Sequence, residues 1–397
     1  MAQLTFKNLL SFGLLCVSCG LASAQENQKN IAAHEVTAAE AKLEFRDISL
    51  LEEAFIDATP ADKSDGITVG RLGDDGRKIG SIISLAQEIA DGKHGNYDSL
   101  LIAHKGKLLF ESYYLRGRIN LPHPQASATK SYTSLVLGRA IQMGYLSMDD
   151  LDKPLISFLK ELDPTKLVEG AEKITLHKTL TMSSGMRFSD EQRDNMEKNP
   201  EAIKGQGQVQ TYLELSAPIT NESQTYSYGG GQSNLAMHVI EAVVPGTAKA
   251  FIKHELLDKI GITDYRWQDA PSGLPEAGWK VSLTSRDMLK LGNLVLNKGI
   301  WGGKQLVSAD YLSKATSGLV KPTQDWMPDI YRYGYFWYQA PLAVGDKTYN
   351  SKSAWGGGGQ RVIVVEELGL TIVVTAHHRE DTIMALIADS ILPVFAE

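Results

Sequence analysis

Apolar positions recur at helical spacing through the middle of this chain and form short, dense blocks nearer its two ends. Residues 99–115, SLLIAHKGKLLFESYYL, hold two β-rich runs around Lys105-Gly106, which reads as a hairpin. Three further blocks lie near the C-terminus: YGYFWYQA, KTYNSKSAW and RVIVVEELGLTIVVTAH, the last turning at about 366–369. Helical spacing marks IGSIISLAQEIADG, ending at Gly92, and LSMDDLDKPLISFLKEL, where Asp149, Asp150 and Asp152 suit a helix N-terminus. It marks ITLHKTLTMSSGM, from about Thr175 to Gly185, and the segment after the Gly-rich turn of QTYSYGGGQSNLAMHVIEAVV. TSRDMLKLGNLVLNKG is capped at Thr284 or Ser285 and stopped by Gly299, and 382–395 closes the chain as a helix.

Strands at both ends and helices between them predict an α+β fold. Its antiparallel sheet is built from about 95–116 and 331–378, flanked by helices, with a mainly helical region at about 140–300 inserted. The seam between sheet and helices is the default place for a pocket. Residues 25–65, rich in Ala, Glu, Asp and Lys, read as a helical or loose N-terminal arm. The polar stretch 186–223 is long for a connection and is expected to act as a lid.

One stretch organises the rest: HPQASATKSYTSLVLGRAIQMG. Pro122 and Pro124 stop any helix from entering from upstream, while Leu135, Val136, Ala140, Ile141 and Met143 supply an apolar face. A buried helix is therefore expected to begin at about Ser127. Residues three apart share a helix face, so the Ser127 hydroxyl should lie beside the Lys130 amine. Serine becomes a useful nucleophile when a base adjoins it. Lysine can be that base once burial or positive neighbours lower its pKa from about 10.4. The helix N-terminus also favours a developing oxyanion. Ser157-Phe-Leu-Lys160 repeats the spacing, but there Leu151, Leu155, Ile156 and Leu159 make an ordinary amphipathic stripe with Lys160 in solvent.

Composition changes the picture in a few respects. The 397 residues are 43% hydrophobic and 22% charged, which is ordinary for a globular chain of one large domain or two packed ones. The net charge of −7 comes without a basic block, which argues against nucleic acid as a partner. Residues 1–24 read as a signal peptide: Lys7, then an uncharged run, then Ala22-Ser23-Ala24 before Gln25. The chain is thus expected to be exported, periplasmic or secreted, with no stable membrane span after cleavage. A lipoprotein reading through Cys19 fits less well, because Cys16 sits where leucine is usual. Both cysteines lie in this segment, so the mature chain would have no disulfide.

Three motifs in order complete the reading. They are Ser127-Ala-Thr-Lys130 followed by Ser131, Tyr226-Ser-Tyr228 before Gly229, and Ala354-Trp-Gly356-Gly-Gly358-Gly359-Gln360. With the flanking TLTMSSGM and SLTSRDMLKLG, residues 66–392 resemble the serine beta-lactamase and penicillin-binding-protein superfamily. The likeness is to its class C and esterase-like branch, and to 6-aminohexanoate-dimer-hydrolase-like serine hydrolases. It implies a beta-lactamase/transpeptidase-like fold over 66–397 and an acyl-enzyme formed on Ser127. It gives Lys130 and Tyr226 as proton carriers and the backbone N–H groups of Ser127 and Gly357 as the oxyanion hole. Tyr228, Ala354, Trp355 and Gly356 would line the substrate pocket.

Two departures matter. Tyr228 stands where many members carry Asn or Ser. Ala354 stands where beta-lactamases and transpeptidases carry Lys or His, which points towards a carboxylic ester or short amide. A D-alanyl peptide carboxypeptidase or a beta-lactamase is the alternative within this chemistry. A non-catalytic cell-wall or partner-binding relative is the alternative outside it.

Other chemistry is weakly supported. No Gly-x-Ser-x-Gly elbow occurs. His34-Glu35 and His254-Glu255 begin a His-Glu-x-x-His motif without completing it. No metal or cofactor is expected. His377-His378 read as exposed strand-end residues and His123 as a loop residue. Trp355, Trp337, Trp326 and Tyr335 are candidates either for an aromatic pocket or for core packing.

Overall fold

The strand blocks pair into one sheet whose central strands carry apolar side chains on both faces. The computed structural model describes residues 32–378 and 382–396, and the larger compact unit begins at Ala33. In Tyr97–His104, Leu101 and Ala103 enter one core while Leu100 and Ile102 enter the other, the two-residue alternation of a strand. Gln360–Val365 divides the same way, with Val362 and Val364 opposite Ile363 and Val365. The order across the sheet is Phe55–Asp57, Lys107–Tyr113, Tyr97–His104, Leu370–Ala376, Gln360–Val365, Lys347–Gly356, Tyr338–Val344 and Arg332–Tyr333. The join between the two chain ends is antiparallel, running from Leu370 opposite His104 to Thr375 opposite Ser99. The α+β architecture expected from the sequence, with an antiparallel sheet built from both ends of the chain, is therefore the observed one.

Helices cover both faces. Gly80–Ala90 buries Ile82, Leu85, Ala86 and Ile89 on one side, together with Ile387, Ile391 and Phe395 of the C-terminal segment. Ser285–Leu296, capped by Thr284, lies on the other side with the inserted helical region. Its Gly292 allows that contact: a Cβ there would stand 2.4 Å from Thr371 Cγ2 and 2.7 Å from Val362 Cγ1.

Several elements differ from the sequence expectation. The N-terminal arm contributes an edge strand, Phe55–Asp57, because Phe55 stacks on Tyr113 of the neighbouring strand. The segment LSMDDLDKPLISFLKEL forms two short 3-10 turns, Asp149–Asp152 and Leu155–Phe158, since Pro154 interrupts a continuous helix. The helix capped by Thr175 runs only over Leu176–Leu180. The 186–223 stretch carries structure of its own: Asp190–Lys198, opened by a capping box of Ser189 and Gln192, and Gly207–Leu215. The closing helix breaks into Ile383–Leu386, a widened turn at Ile387–Ile391, and Leu392–Phe395, with Pro393 unable to donate an N–H. Among the described residues no single helix is long and apolar enough to cross a membrane. The expected signal segment, with Cys16 and Cys19, lies outside the described residues.

Candidate active site

His123–Pro124 pair with Val281–Leu283, and Gln125 N–H donates to the Val281 carbonyl at 2.8 Å. Ala126 then takes φ +46°, a left-handed turn that few residues with a Cβ adopt. That turn delivers Ser127 to the N-cap of Ala128–Gln142. A serine there usually bonds a backbone N–H of the first turn, but the Ser127 hydroxyl makes no such bond. Lys130 Nζ donates to it instead at 3.2 Å, and donates also to the Gly278 carbonyl at 3.0 Å. Ser127 is half-buried and Lys130 is 4% exposed.

The helix is held on its polar side as well as its apolar one. Tyr132 donates to Gln125 Oε1 at 2.8 Å, Ser131 to the Phe336 carbonyl at 2.6 Å, and Thr133 to the Ala277 carbonyl at 2.9 Å. These bonds satisfy buried hydroxyls and fix the helix start against two other segments. Leu135, Val136 and Ala140 lie in the core as expected, with Ile141 and Met143 at its margin.

The two tyrosines of Tyr226-Ser-Tyr228 both meet Tyr333 edge-on but differ in their other partners. Lys130 Nζ stands 4.9 Å from the centre of the Tyr228 ring. Tyr226 turns towards other aromatics. Its hydroxyl accepts from Gln324 Nε2 at 3.3 Å and shares a hydrogen bond with Tyr338, and its ring meets Tyr333 edge-on at 5.4 Å. Burial pushes the Tyr226 phenol up to about 12, against the opposing bonds with Gln324 and Tyr338. Of the two phenols, the one expected in the pocket wall is the one that touches the lysine.

Gly356 closes Lys347–Gly356 against the nucleophile segment: a Cβ there would stand 2.1 Å from the Gln125 carbonyl oxygen. Only glycine lets the strand end lie this close to the turn before Ser127. Among the described residues, the backbone N–H groups of Ser127 and Gly357 donate to no protein acceptor. Arg361, 1% exposed, holds the Gly356 carbonyl at 3.1 Å and lies 3.9 Å from the centre of the Trp355 ring. The Gly358 carbonyl accepts from the His378 N–H at 3.1 Å.

The expected pocket wall is only partly in place. Ala354 is fully buried in the core. Trp355 joins Tyr331, Tyr338 and the exposed Trp326 in one aromatic cluster. Trp337 and Tyr335 are core residues, and Tyr335 pairs with His177 Nδ1 at 2.8 Å. A cavity of about 240 Å³ elsewhere is lined by Asp65, Arg286, Asp287 and Lys290. Asp65 and Glu111 already pair with Arg286, and Asp287 with Lys290.

His123 and His377 are neither loop nor exposed strand-end residues in the sense expected. Both face Asp98 Oδ2, at 3.1 and 2.8 Å, and Asp98 is fully buried. Arg116 N–H donates to Asp98 Oδ1 at 3.0 Å. This carboxylate ties the strand that enters the nucleophile turn to the end of Leu370–Ala376. Burial alone would raise the Asp98 carboxyl, but its bonds to His123 and His377 outweigh burial and hold it below its ordinary value. A carboxyl lowered on folding adds stability that is complete above its unfolded value of about 3.9 and is lost as pH falls through the folded value. Urea midpoints should therefore drop in acid below about pH 4. Asp98→Asn should lower the neutral midpoint and flatten that acid limb; a variant keeping the wild-type limb would contradict the assignment.

The remaining candidates are dispersed. Ser157 is exposed and donates to the Pro154 carbonyl at 2.6 Å, and Lys160 is in solvent. His254 pairs with Asp258 on the surface. Among the described residues, no group of three or more His, Cys, Asp and Glu is placed to hold a metal ion. Sequence reasoning missed several buried charged residues, among them Asp98, Arg361 and Glu276. None of the three belongs to a local pattern that could have signalled it.

An antiparallel sheet covered on both faces, with a Ser-x-x-Lys helix start lodged against a glycine-rich strand end, defines a beta-lactamase/transpeptidase-like serine hydrolase. The chain belongs to the Beta-lactamase family, which it matches over residues 85–392. Among solved structures it is similar to a novel penicillin-binding protein homologue from Caulobacter crescentus, at 13% identity, covering 86% of this chain and 100% of that one, with a TM-score of 0.61. It is similar to a D-stereospecific amidohydrolase from Streptomyces sp., at 15% identity, covering 80% and 99%, with a TM-score of 0.59. It is also similar to EstCE1, a hydrolase with promiscuous acyltransferase activity, at 12% identity, covering 79% and 98%, with a TM-score of 0.61. At these identities the likeness speaks for the fold. No curated protein matches the chain by sequence.

Proposed function

We propose that this protein is an exported hydrolase that cleaves a carboxylic ester or short amide through an acyl-enzyme on Ser127. The observation that carries the reading is the 3.2 Å bond from a buried Lys130 amine to a Ser127 hydroxyl that no cap occupies. In the first step Ser127 Oγ bonds to the substrate carbonyl carbon as its proton passes to Lys130, and the carbonyl electrons move onto oxygen. The N–H groups of Ser127 and Gly357 are the donors for that oxyanion. Tyr228, against Lys130, is the phenol that hands a proton to the leaving group and later takes one from water. Tyr228 thereby takes the role expected of Tyr226 from the order of the motifs.

The absence of a cation at Ala354 supports the choice of substrate. A substrate carboxylate desolvated in such a site needs a charged partner, and a buried alanine methyl supplies none. The solved structures of a D-stereospecific amidohydrolase and of EstCE1 belong to proteins of the same fold, which lends support to ester or amide cleavage. Steady-state kcat/KM for short-chain aryl esters, acyl anilides, a chromogenic cephalosporin and a D-alanyl-D-alanine peptide tests the reading. Esters are expected to exceed the last two by roughly 100-fold or more, the scale of discrimination when a charged group is left unpaired. A cephalosporin or D-alanyl peptide turned over faster than every ester would overturn it.

A further inference from the structure

Three polar side chains from three separate segments close on Gly278. A Cβ built there would stand 3.0 Å from Ser233 Oγ, 3.3 Å from Glu276 Oε1 and 3.5 Å from Lys130 Nζ. The glycine's own backbone groups are shared between two of them. Its N–H donates to Glu276 Oε1 at 3.0 Å, and its carbonyl accepts from Lys130 Nζ at 3.0 Å. Glu276 is 4% exposed, so a buried carboxylate and the amine beside Ser127 grip the same residue. The other charged or titratable groups facing Glu276 are Lys280 from its own segment and Tyr212 from Gly207–Leu215. Those facing Lys130 are Ser127 and the Tyr228 ring.

We propose that Glu276 is a positioning residue for the Ser127–Lys130 pair, holding the Gly278 carbonyl onto Lys130 and countering the charge that Lys130 gains when it takes the Ser127 proton. The inference rests on the hydrolase reading above. In the acylation step the Ser127 O–H bond breaks, the Oγ–C bond forms, and the proton ends on Lys130; Glu276 exchanges no proton. Its charge acts twice, with opposite signs. It stabilises the ammonium present in the transition state, which raises the rate once Lys130 is neutral. It also favours the proton on the resting amine, which moves the onset of activity to higher pH. Burial raises the Glu276 carboxyl, while the Gly278 N–H, Lys280 and Lys130 hold it down. Lys130 is the smallest of these influences, so the link between the carboxylate and the lysine runs chiefly through Gly278.

The test is the rate of Ser127 labelling by a fluorophosphonate probe as a function of pH, in wild type, Glu276→Gln and Glu276→Asp, each checked by thermal unfolding. Gln retains the acceptor for Gly278 and removes only the charge. It is expected to lower the plateau rate by about tenfold and to move the midpoint about one unit towards acid. Asp retains the charge and is expected to keep the wild-type midpoint. A Gln variant with the wild-type midpoint, whatever its plateau, reduces Glu276 to a structural residue and overturns the proposal. So does an Asp variant shifted as far as Gln. Wild type that is not labelled on Ser127 overturns the hydrolase reading and this inference together; labelled wild type with an unmoved Gln midpoint overturns this inference alone.

Discussion

Lys130→Met is expected to lower turnover by about 10²–10⁴-fold, the range associated with losing a positioned proton acceptor. Methionine matches the length of the lysine stem, so the buried helix should keep its packing. Two hydrogen bonds disappear, one to Ser127 Oγ and one to the Gly278 carbonyl. The first loss removes the base that activates the serine. Arginine restores positive charge but cannot release its proton near neutral pH. Lys130→Arg should therefore remain within about tenfold of Lys130→Met, far from wild type. Ester turnover and thermal unfolding of the two variants check this, and an arginine variant with near-wild-type turnover would show that Lys130 serves only as a charge.

Tyr228→Phe is expected to cost about 10²-fold or more in turnover, and Tyr226→Phe no more than a few-fold. Phenylalanine keeps the ring in both cases. The Tyr228 ring still packs against Lys130, and the Tyr226 ring still meets Tyr333. Only the hydroxyls are lost, and the two differ in surroundings. Tyr226 gives up its bonds with Gln324 and Tyr338. Tyr228 gives up the hydroxyl of the ring that Lys130 faces. A pH–rate profile for each variant adds a second readout, since only the loss of a working proton carrier should remove a limb. Equal losses in the two variants would contradict the assignment.

The difficulty of choosing between these tyrosines in the sequence has a simple geometric cause. Residues two apart in extended chain point to the same side. Tyr226 and Tyr228 are therefore equivalent until a partner is named, and that partner is a lysine about a hundred residues earlier. The Ser127–Lys130 contact was legible because its three-residue spacing is local, and helix geometry alone brings the two groups together. The glycines at 356–359 were legible as a place of close backbone approach, though what approaches, the Gln125 carbonyl, was not. Glu276 and Arg361 were invisible because neither sits in a periodic pattern. Arg361 is held within its own hairpin by Gly356, Gln360 and the Trp355 ring, and Glu276 by the N–H of Gly278 two residues on.

The fold divides along similar lines. The sheet and its join between chain ends follow from dense apolar runs, because a strand buried on both faces has nowhere to put polar residues. The edge strand at Phe55–Asp57 was too short to announce itself and is explained by its pairing with Lys107–Tyr113. Helical spacing overstated the 146–162 and 382–395 segments, where prolines at 154 and 393 break up what the apolar pattern alone would continue.

Every role proposed for this site depends on Ser127 being the nucleophile. Intact mass spectrometry of the mature protein after incubation with a fluorophosphonate probe, for wild type, Ser127→Ala and Ser157→Ala, decides that point. One adduct is expected on wild type and on Ser157→Ala, and none on Ser127→Ala. An adduct that survives in Ser127→Ala, or folded wild-type protein that takes up no probe, would show that Ser127 is not the nucleophile.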